Sequence, residues 1–457
     1  MGSFPNHIFR TYDIRGIVGR EITDDLSREI GQAFGTFMSK NSKKTIGVSC
    51  DVRPSSSSLL ESLINGLLSA GMQVTRFGEL ATPVNYYSLH NPNLNIEAAI
   101  QITGSHNPSE YNGFKITYDG KPFFGDDIQL LYNMILNNDF IQGNGTCSDY
   151  NIITDYDNMI VNKIKISKKI KVAMDCGNAA GCLNAPNLYN KFNLELLELF
   201  CDVDGTFPNH HPDPTVDSNL TDLQKFVVEN NCDIGVAFDG DADRIVAVDE
   251  KGGIIRSDIL MAVFLPYILD PGDSIVYDVK CSKALEDTIL KYQGIPIMWK
   301  TGHSLIKNKM KEEKAKLGGE MSGHIFFADD YYGYDDAIYV GLRLIQLLSE
   351  SNIKLSEMVS DIPKYFSTPE LRLDCIDDEQ KNKIMDEAFK YFSSRYDFSN
   401  IDGIRLKLDE GWALIRCSNT QPVIVCRMEA STEDLLVSYK KMVLDKLYSL
   451  GIKNENL

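Results

Sequence analysis

This sequence predicts an α/β architecture divided into several domains, on three observations. Strand-like and helix-like segments alternate along most of the chain. Each apolar run ends in a polar loop rich in glycine or aspartate, the place where ligands collect in α/β sheets. The 457 residues exceed one ordinary domain, and this length predicts about three.

The elements follow in order. Residues 45–49 read as a strand and 57–70 as a helix entered through serines. An apolar run at 98–102 leads into Thr103-Gly104-Ser105-His106-Asn107-Pro108. Further strands are predicted at 171–174, 233–238, 245–248 and 274–277. Polar loops follow them, as at Asp175-Cys176-Gly177-Asn178 and Asp278-Val279-Lys280-Cys281-Ser282. Three such units suggest distant structural repeats without a sequence period. Loops at 142–146, 250–253 and 361–369 divide the chain into 1–149, 150–252, 253–365 and 366–457. The last segment opens on alternating Leu371 and Leu373. It closes on a helix that Ser431-Thr432-Glu433-Asp434 begins in the manner of a capping box.

Composition narrows the class. Hydrophobic residues make up 43% of the chain and aromatic residues 10%, enough for buried cores. A net charge of −18 argues against nucleic acid or an anionic membrane as a partner. An anionic ligand therefore needs local cations, and Arg15, Lys115, Arg244 and Arg416 are the candidates. The ten cysteines are scattered without a CxxC pair, so no zinc site is expected and a reducing cytoplasm is the natural compartment. No signal peptide is expected, and Asn6 stands where a myristoylation motif needs serine or threonine. The apolar run at 259–269 is too short to span a bilayer.

Four loops carry the chemistry. In the first, Gly104 removes side-chain bulk in front of Ser105 and Pro108 stiffens the exit. A serine hydroxyl is a weak nucleophile and needs a base, a metal or a charged donor beside it. In the second, Asp239, Asp241 and Asp243 alternate ahead of Arg244. An EF-hand would require glycine where Arg244 stands and helices where strands are predicted, so that reading fails. In the third, Glu320, Ser322 and His324 lie two residues apart, a row suited to the vicinal hydroxyls of a sugar. In the fourth, Arg416, Ser418, Asn419 and Thr420 gather a guanidinium and small donors suited to a phosphate dianion.

These four loops in this order resemble the α-D-phosphohexomutase superfamily, and Met321 resembles its phosphomannomutase/phosphoglucomutase branch. The phosphoglucosamine mutases typically carry glutamine at that place. Residues 9–16, 112–116, 301–304 and 368–370 agree as well, and the resemblance covers nearly the whole chain. It implies three similar mixed-sheet α/β domains and a smaller α+β, TATA-box-binding-protein-like C-terminal domain around a central cleft. It also implies that Ser105 carries a phosphoryl group and that Asp239, Asp241 and Asp243, with an oxygen on Ser105, hold Mg²⁺. Three carboxylates suit that hard cation.

The reaction so implied is reversible phosphoryl transfer between the 1- and 6-positions of mannose or glucose phosphates, through a hexose 1,6-bisphosphate that also serves as activator. Lys115, His303 and Arg15 are the candidate acid/base partners, Lys115 only if burial or neighbouring cations lower its pKa. Arg244 neutralises charge on the transferring group. Arg416, Ser418, Asn419 and Thr420 bind the distal phosphate, Glu320 and Ser322 the sugar hydroxyls, and Tyr12, Lys280 and His324 further parts of the substrate. His210 and His211 read as structural. A monomer or weak oligomer is expected. Phosphoglucosamine mutase, a metal-dependent sugar phosphatase and a non-catalytic sugar-phosphate-binding protein are the competing readings.

Overall fold

The computed structural model describes residues 5–418 and 422–452. The chain forms two compact units, Met1–Leu260 with Ser322–Val359, and Met261–Met321 with Ser360–Leu457.

The first unit holds two mixed sheets. In the seven-stranded one, Thr45–Cys50 lies at the centre of a parallel run with Ala98–Ile102 and Gln73–Glu79, and Thr146–Asp149 extends it. Tyr111–Tyr118 then pairs antiparallel with Ala98–Ile102 and carries Ile14–Ile17 at its outer side. All five residues of Ala98–Ile102 are buried, as a strand covered on both faces requires. Two helices, Asp24–Lys40 and Ser56–Ser69, cover the sheet. Gly31 and Gly66 let them meet backbone to backbone. A Cβ on Gly31 would fall 2.3 Å from the Leu63 carbonyl oxygen, and one on Gly66 would fall 2.0 Å from that of Arg28.

The second sheet runs Ile254–Ile255, Ile245–Asp249, Ile234–Phe238, Ile170–Asp175, Leu194–Leu199. Its last three strands are parallel, and Ile245–Asp249 returns antiparallel from the turn that holds the aspartates. His210 packs at its carboxyl edge. Its Nδ1 lies 2.9 Å from the His211 carbonyl and its Nε2 3.0 Å from the Asp175 carboxylate. Burial lowers the His210 pKa, but Asp175 and the carbonyl outweigh it and hold the imidazole above its ordinary value. The protonated ring is thus favoured by folding. Its contribution is complete below the unfolded value of about 6.5 and is lost as pH rises through the higher folded value. We therefore expect His210→Gln to lower the urea midpoint more at about pH 5.5 than at about pH 9. Equal losses at both pH values would contradict this reading.

In the second unit, Ser274–Asp278 pairs in parallel with Ile295–Trp299 and Leu317–Gly319. A six-stranded sheet follows, its path Phe366–Ser367, Val423–Ala430, Gly411–Cys417, Ile404–Leu408, Phe398–Ser399, with Leu371–Asp374 also on Val423–Ala430. Its pairings are antiparallel. Leu371 and Leu373 alternate inward as expected, joining Ile384, Phe392 and Leu447 of two covering helices, Asp378–Ser393 and Glu433–Ser449. The capping box is corrected in detail. Thr432 caps that last helix by accepting from the Leu435 N–H at 3.3 Å. Ser431 instead donates its hydroxyl to Glu410, outside the helix. No helix among the described residues is long and apolar enough to cross a membrane.

Candidate active site

Ser105 lies on the loop that leaves the buried strand Ala98–Ile102. It adopts φ +49°, a conformation uncommon for a residue with a side chain. A buried ion pair holds it there. Asp51, directly after Thr45–Cys50, accepts from the Thr103 hydroxyl at 2.8 Å, the Gly104 N–H at 3.2 Å and Arg53 Nε at 3.0 Å. The Arg53 guanidinium donates onward to the carbonyls of Ser105 at 2.6 Å, Asn107 at 2.7 Å and Tyr111 at 3.1 Å. A Cβ on Gly104 would stand 2.5 Å from Arg53 Cζ. Glycine is needed there to admit the guanidinium.

The three aspartates follow the strand Ile234–Phe238 and are fully buried. One ligand oxygen from each lies within 4.8 Å of the others. Ser105 Oγ donates to Asp239 at 3.1 Å, and the other Asp239 oxygen accepts the N–H groups of Asp243 and Arg244. Asp241 accepts from the Thr82 hydroxyl at 2.5 Å. Lys115 reaches from Tyr111–Tyr118 to Asp241 at 2.6 Å and Asp243 at 2.5 Å. The Oδ1 atoms of Asp241 and Asp243 are buried without a hydrogen-bond partner. Orphaned carboxylate oxygens beside an all-oxygen donor set fit a hard divalent cation.

The electrostatics agree. Burial, then the charges of Asp243 and Asp241, push the Asp239 carboxyl well above its usual range. For Asp241, burial acts upward but is outweighed by Lys115, and the carboxyl is held low. Burial would lower Lys115, yet Asp241 and Asp243 raise it above its ordinary value. The neighbouring carboxylates stabilise its ammonium more than burial penalises it.

Arg244 Nε donates to His324 Nε2 at 3.0 Å and lies 3.8 Å from an Asp239 oxygen. That bond leaves the ring proton on Nδ1, which faces Asp335 at 2.9 Å. His324 is thus deeply buried behind Arg244. Gly323 permits the approach: at φ +108°, a Cβ there would fall 2.9 Å from Arg244 Cβ. Arg15, on Ile14–Ile17, pairs with Asp13 at 2.5 Å. Burial and the cations Arg244, Arg15 and Lys115 hold the His106 imidazole well below its usual range. His106 Nδ1 lies 3.3 Å from Ser105 Oγ. Tyr12 and Ser322 are half-buried in the same unit.

In the second unit, Glu320 is buried and accepts the Gly302 N–H at 2.5 Å. That contact places it beside His303, the first residue of the helix His303–Glu313. Thr301 donates its N–H to Asp402 at 3.1 Å, and the same Asp402 oxygen pairs with Arg416 at 3.1 Å. The loops that carry Glu320 and Arg416 therefore share one scaffold through Thr301 and Gly302. Lys280 Nζ lies 3.5 Å from Glu370. The Ser418 N–H bonds the Val423 carbonyl at 2.9 Å. Asn419 and Thr420 lie outside the described residues.

Sequence reasoning missed Asp51, Arg53, Thr82 and His106. Asp51 and Arg53 had a usable signal, since they leave the carboxyl end of the predicted strand at 45–49. His106 stands inside the serine motif itself. Thr82 had none.

Comparison with known proteins agrees with this geometry. Four family models match, all of phosphoglucomutase/phosphomannomutase: alpha/beta/alpha domain I at residues 6–142, domain II at 153–253, domain III at 256–366 and the C-terminal domain at 357–446. A phosphomannomutase/phosphoglucomutase of Pseudomonas putida is 41% identical over 97% of this chain and 96% of its own. A phosphoglucomutase of Neisseria meningitidis is 39% identical over 95% of each. The crystal structure of a phosphoglucomutase/phosphomannomutase family protein from Burkholderia thailandensis superposes with a TM-score of 0.93 at 37% identity, covering 98% of this chain and 99% of that one. Four domains, each with a mixed or antiparallel sheet, and relatives matched end to end lead to one conclusion: the chain belongs to the phosphoglucomutase/phosphomannomutase family.

Proposed function

We propose that this protein is a hexose-phosphate mutase that moves a phosphoryl group between the 1- and 6-positions of mannose or glucose phosphates. The observation that carries the reading is Ser105 Oγ on Asp239, within a buried aspartate triad flanked by Lys115 and Arg244. Full-length relatives named for this activity support it. Domain limits are placed at 1–149, 150–252, 253–365 and 366–457.

Ser105 carries the phosphoryl group and gives it to the free sugar hydroxyl, whose proton leaves as the new P–O bond forms. The resulting hexose 1,6-bisphosphate turns over and returns its other phosphate to Ser105. It is also the activator that loads the serine. Phosphoryl transfer leaves the protein mainly positioning and charge neutralisation. Asp239, Asp241, Asp243 and the Ser105 oxygen would hold Mg²⁺. When bound, that ion neutralises charge on the transferring group. Lys115 and Arg244 add fixed positive charge, each preorganised donor contributing about 2.7–4 kcal/mol. His303 and Lys115 are the candidate partners for the proton, and Arg15, a guanidinium that keeps its charge, adds to the positive field. Arg416, Ser418, Asn419 and Thr420 hold the distal phosphate. Tyr12, Lys280 and Ser322 complete the substrate contacts, whereas His324, expected to be one, faces Arg244 and Asp335 with its two ring nitrogens and orients the Arg244 guanidinium.

Glu320 binds sugar hydroxyls through charge-assisted bonds of about 1.5–3 kcal/mol. Glu320→Ala should accordingly lower kcat/KM by roughly 10–100-fold, and steady-state kinetics on mannose 1-phosphate checks this. An unchanged kcat/KM would remove Glu320 from the site. The phosphoserine itself is tested by incubation with radiolabelled glucose 1,6-bisphosphate and Mg²⁺, then peptide mapping. Label on the Ser105 peptide supports the proposal, and label elsewhere or nowhere overturns it.

A further inference from the structure

Three of the ten cysteines meet beside the aspartate loop, and the proposed reaction uses none of them. Cys176 follows directly after Ile170–Asp175 and is fully buried. The Cys182 and Cys201 thiols are the neighbours that most perturb its own. The backbone explains why. Ile170–Asp175 and Leu194–Leu199 pair in parallel, ending at Asp175 opposite Leu199. The Asn178 N–H to Phe200 carbonyl bond, 2.8 Å, continues the pairing past the strand ends. Cys176 and Cys201 therefore leave adjacent strands within one residue of register. Cys201 Sγ sits 3.7 Å from the Met174 carbonyl, and Cys182 Sγ sits 3.6 Å from that of Phe200. All ten cysteines are free thiols.

We propose that Cys176 and Cys201 are an oxidisable pair that closes to a disulfide under peroxide and thereby disturbs the aspartate loop. Cys201 is the entry point, being half-buried where Cys176 is fully enclosed. Contact with the Cys182 and Cys201 thiols, and then burial, push the Cys176 thiol well above its usual range. Enclosure keeps peroxide from Cys176, which therefore enters only in the second step, against the Cys201 sulfenic acid.

In the first step the Cys201 sulfur attacks a peroxide oxygen and breaks the O–O bond. Cys201 becomes a sulfenic acid, and the departing hydroxide leaves as water with the thiol proton. In the second step the Cys176 sulfur attacks Cys201 sulfur. An S–S bond forms, the S–O bond breaks, and the hydroxide leaves as water with the Cys176 proton. Two thiols lose two electrons and the peroxide gains them. The sulfurs must close to about 2.05 Å, a movement that falls on the Cys176 backbone.

That backbone leads to the aspartates. Cys176 opens the segment containing the 3₁₀ turn Ala180–Leu183, in which the Ala180 N–H donates to the Gly240 carbonyl at 3.2 Å. A Cβ on Gly181 would lie 3.5 Å from Cys176 Sγ and 3.7 Å from Ala242 Cβ. The turn is wedged between the thiol and the loop, so pulling Cys176 toward Cys201 shifts the support beneath residues 239–243. This second half rests on the reading of those aspartates as a metal site, whereas the cross-link itself does not.

The test treats the full-length protein with hydrogen peroxide, digests it with trypsin without reductant and maps linked peptides by mass spectrometry. A reductant-sensitive link between the Cys176 and Cys201 peptides is expected. It should persist in Cys182→Ser and vanish in Cys176→Ser. A link that needs Cys182 instead, or Cys201 over-oxidised with Cys176 still free, overturns the pair. Mn²⁺ alone then probes the loop: its affinity should weaken about tenfold or more on oxidation and return on reduction, a size typical of disturbing groups behind metal ligands. Unaltered Mn²⁺ affinity in cross-linked protein overturns the coupling and leaves the disulfide standing.

Discussion

Ser105→Ala is expected to lower kcat by about 10³-fold or more while leaving the fold intact. The reaction as proposed passes every phosphoryl group through the Ser105 oxygen, and alanine offers no acceptor for it. The structural cost is small because the hydroxyl makes one strong contact, the 3.1 Å bond to Asp239, of about 1 kcal/mol. Steady-state rates beside urea unfolding separate the two effects. Activity within tenfold of the parent would show that the transferred group does not pass through Ser105.

The second large effect is on stability. Arg53→Met should destabilise the first unit by about 3–5 kcal/mol, the usual result of removing one member of a buried ion pair. The Arg53 side chain is fully buried against an Asp51 that is 1% exposed. Losing it strands that carboxylate and unpairs the carbonyls of Ser105, Asn107 and Tyr111. Arg53→Lys keeps the charge but lacks the fork, so it should recover only part of the stability and less of the activity. The comparison is a urea midpoint for parent, methionine and lysine forms. A methionine variant as stable as the parent would mean that the network is not what holds the serine loop.

Legibility in the sequence divides along physical lines. Ser105 and the aspartates were visible because α/β sheets place polar loops at strand ends, and an apolar run followed by Gly, Ser or Asp marks such an end locally. The Leu371 and Leu373 alternation was visible for the same reason. What local pattern cannot carry is pairing across the chain. Lys115 lies on a different strand from Asp241 and Asp243, so nothing in its surroundings shows that two carboxylates hold its proton. Gly104 looked like a turn residue, and only the fold reveals the guanidinium that needs its space. Thr82 meets Asp241 from a short helix with no motif of its own. At Ser431 the local pattern marked the start of the helix but not its cap, which is Thr432, while Ser431 bonds the distant Glu410.

The central claim is intramolecular phosphoryl transfer without loss to water. Phosphorus NMR of the protein with Mg²⁺, a trace of glucose 1,6-bisphosphate and mannose 1-phosphate tests it most directly. The account predicts that mannose 6-phosphate appears at the expense of mannose 1-phosphate, with no inorganic phosphate signal. Accumulating inorganic phosphate would contradict it, because water rather than the sugar would then be accepting the group from Ser105.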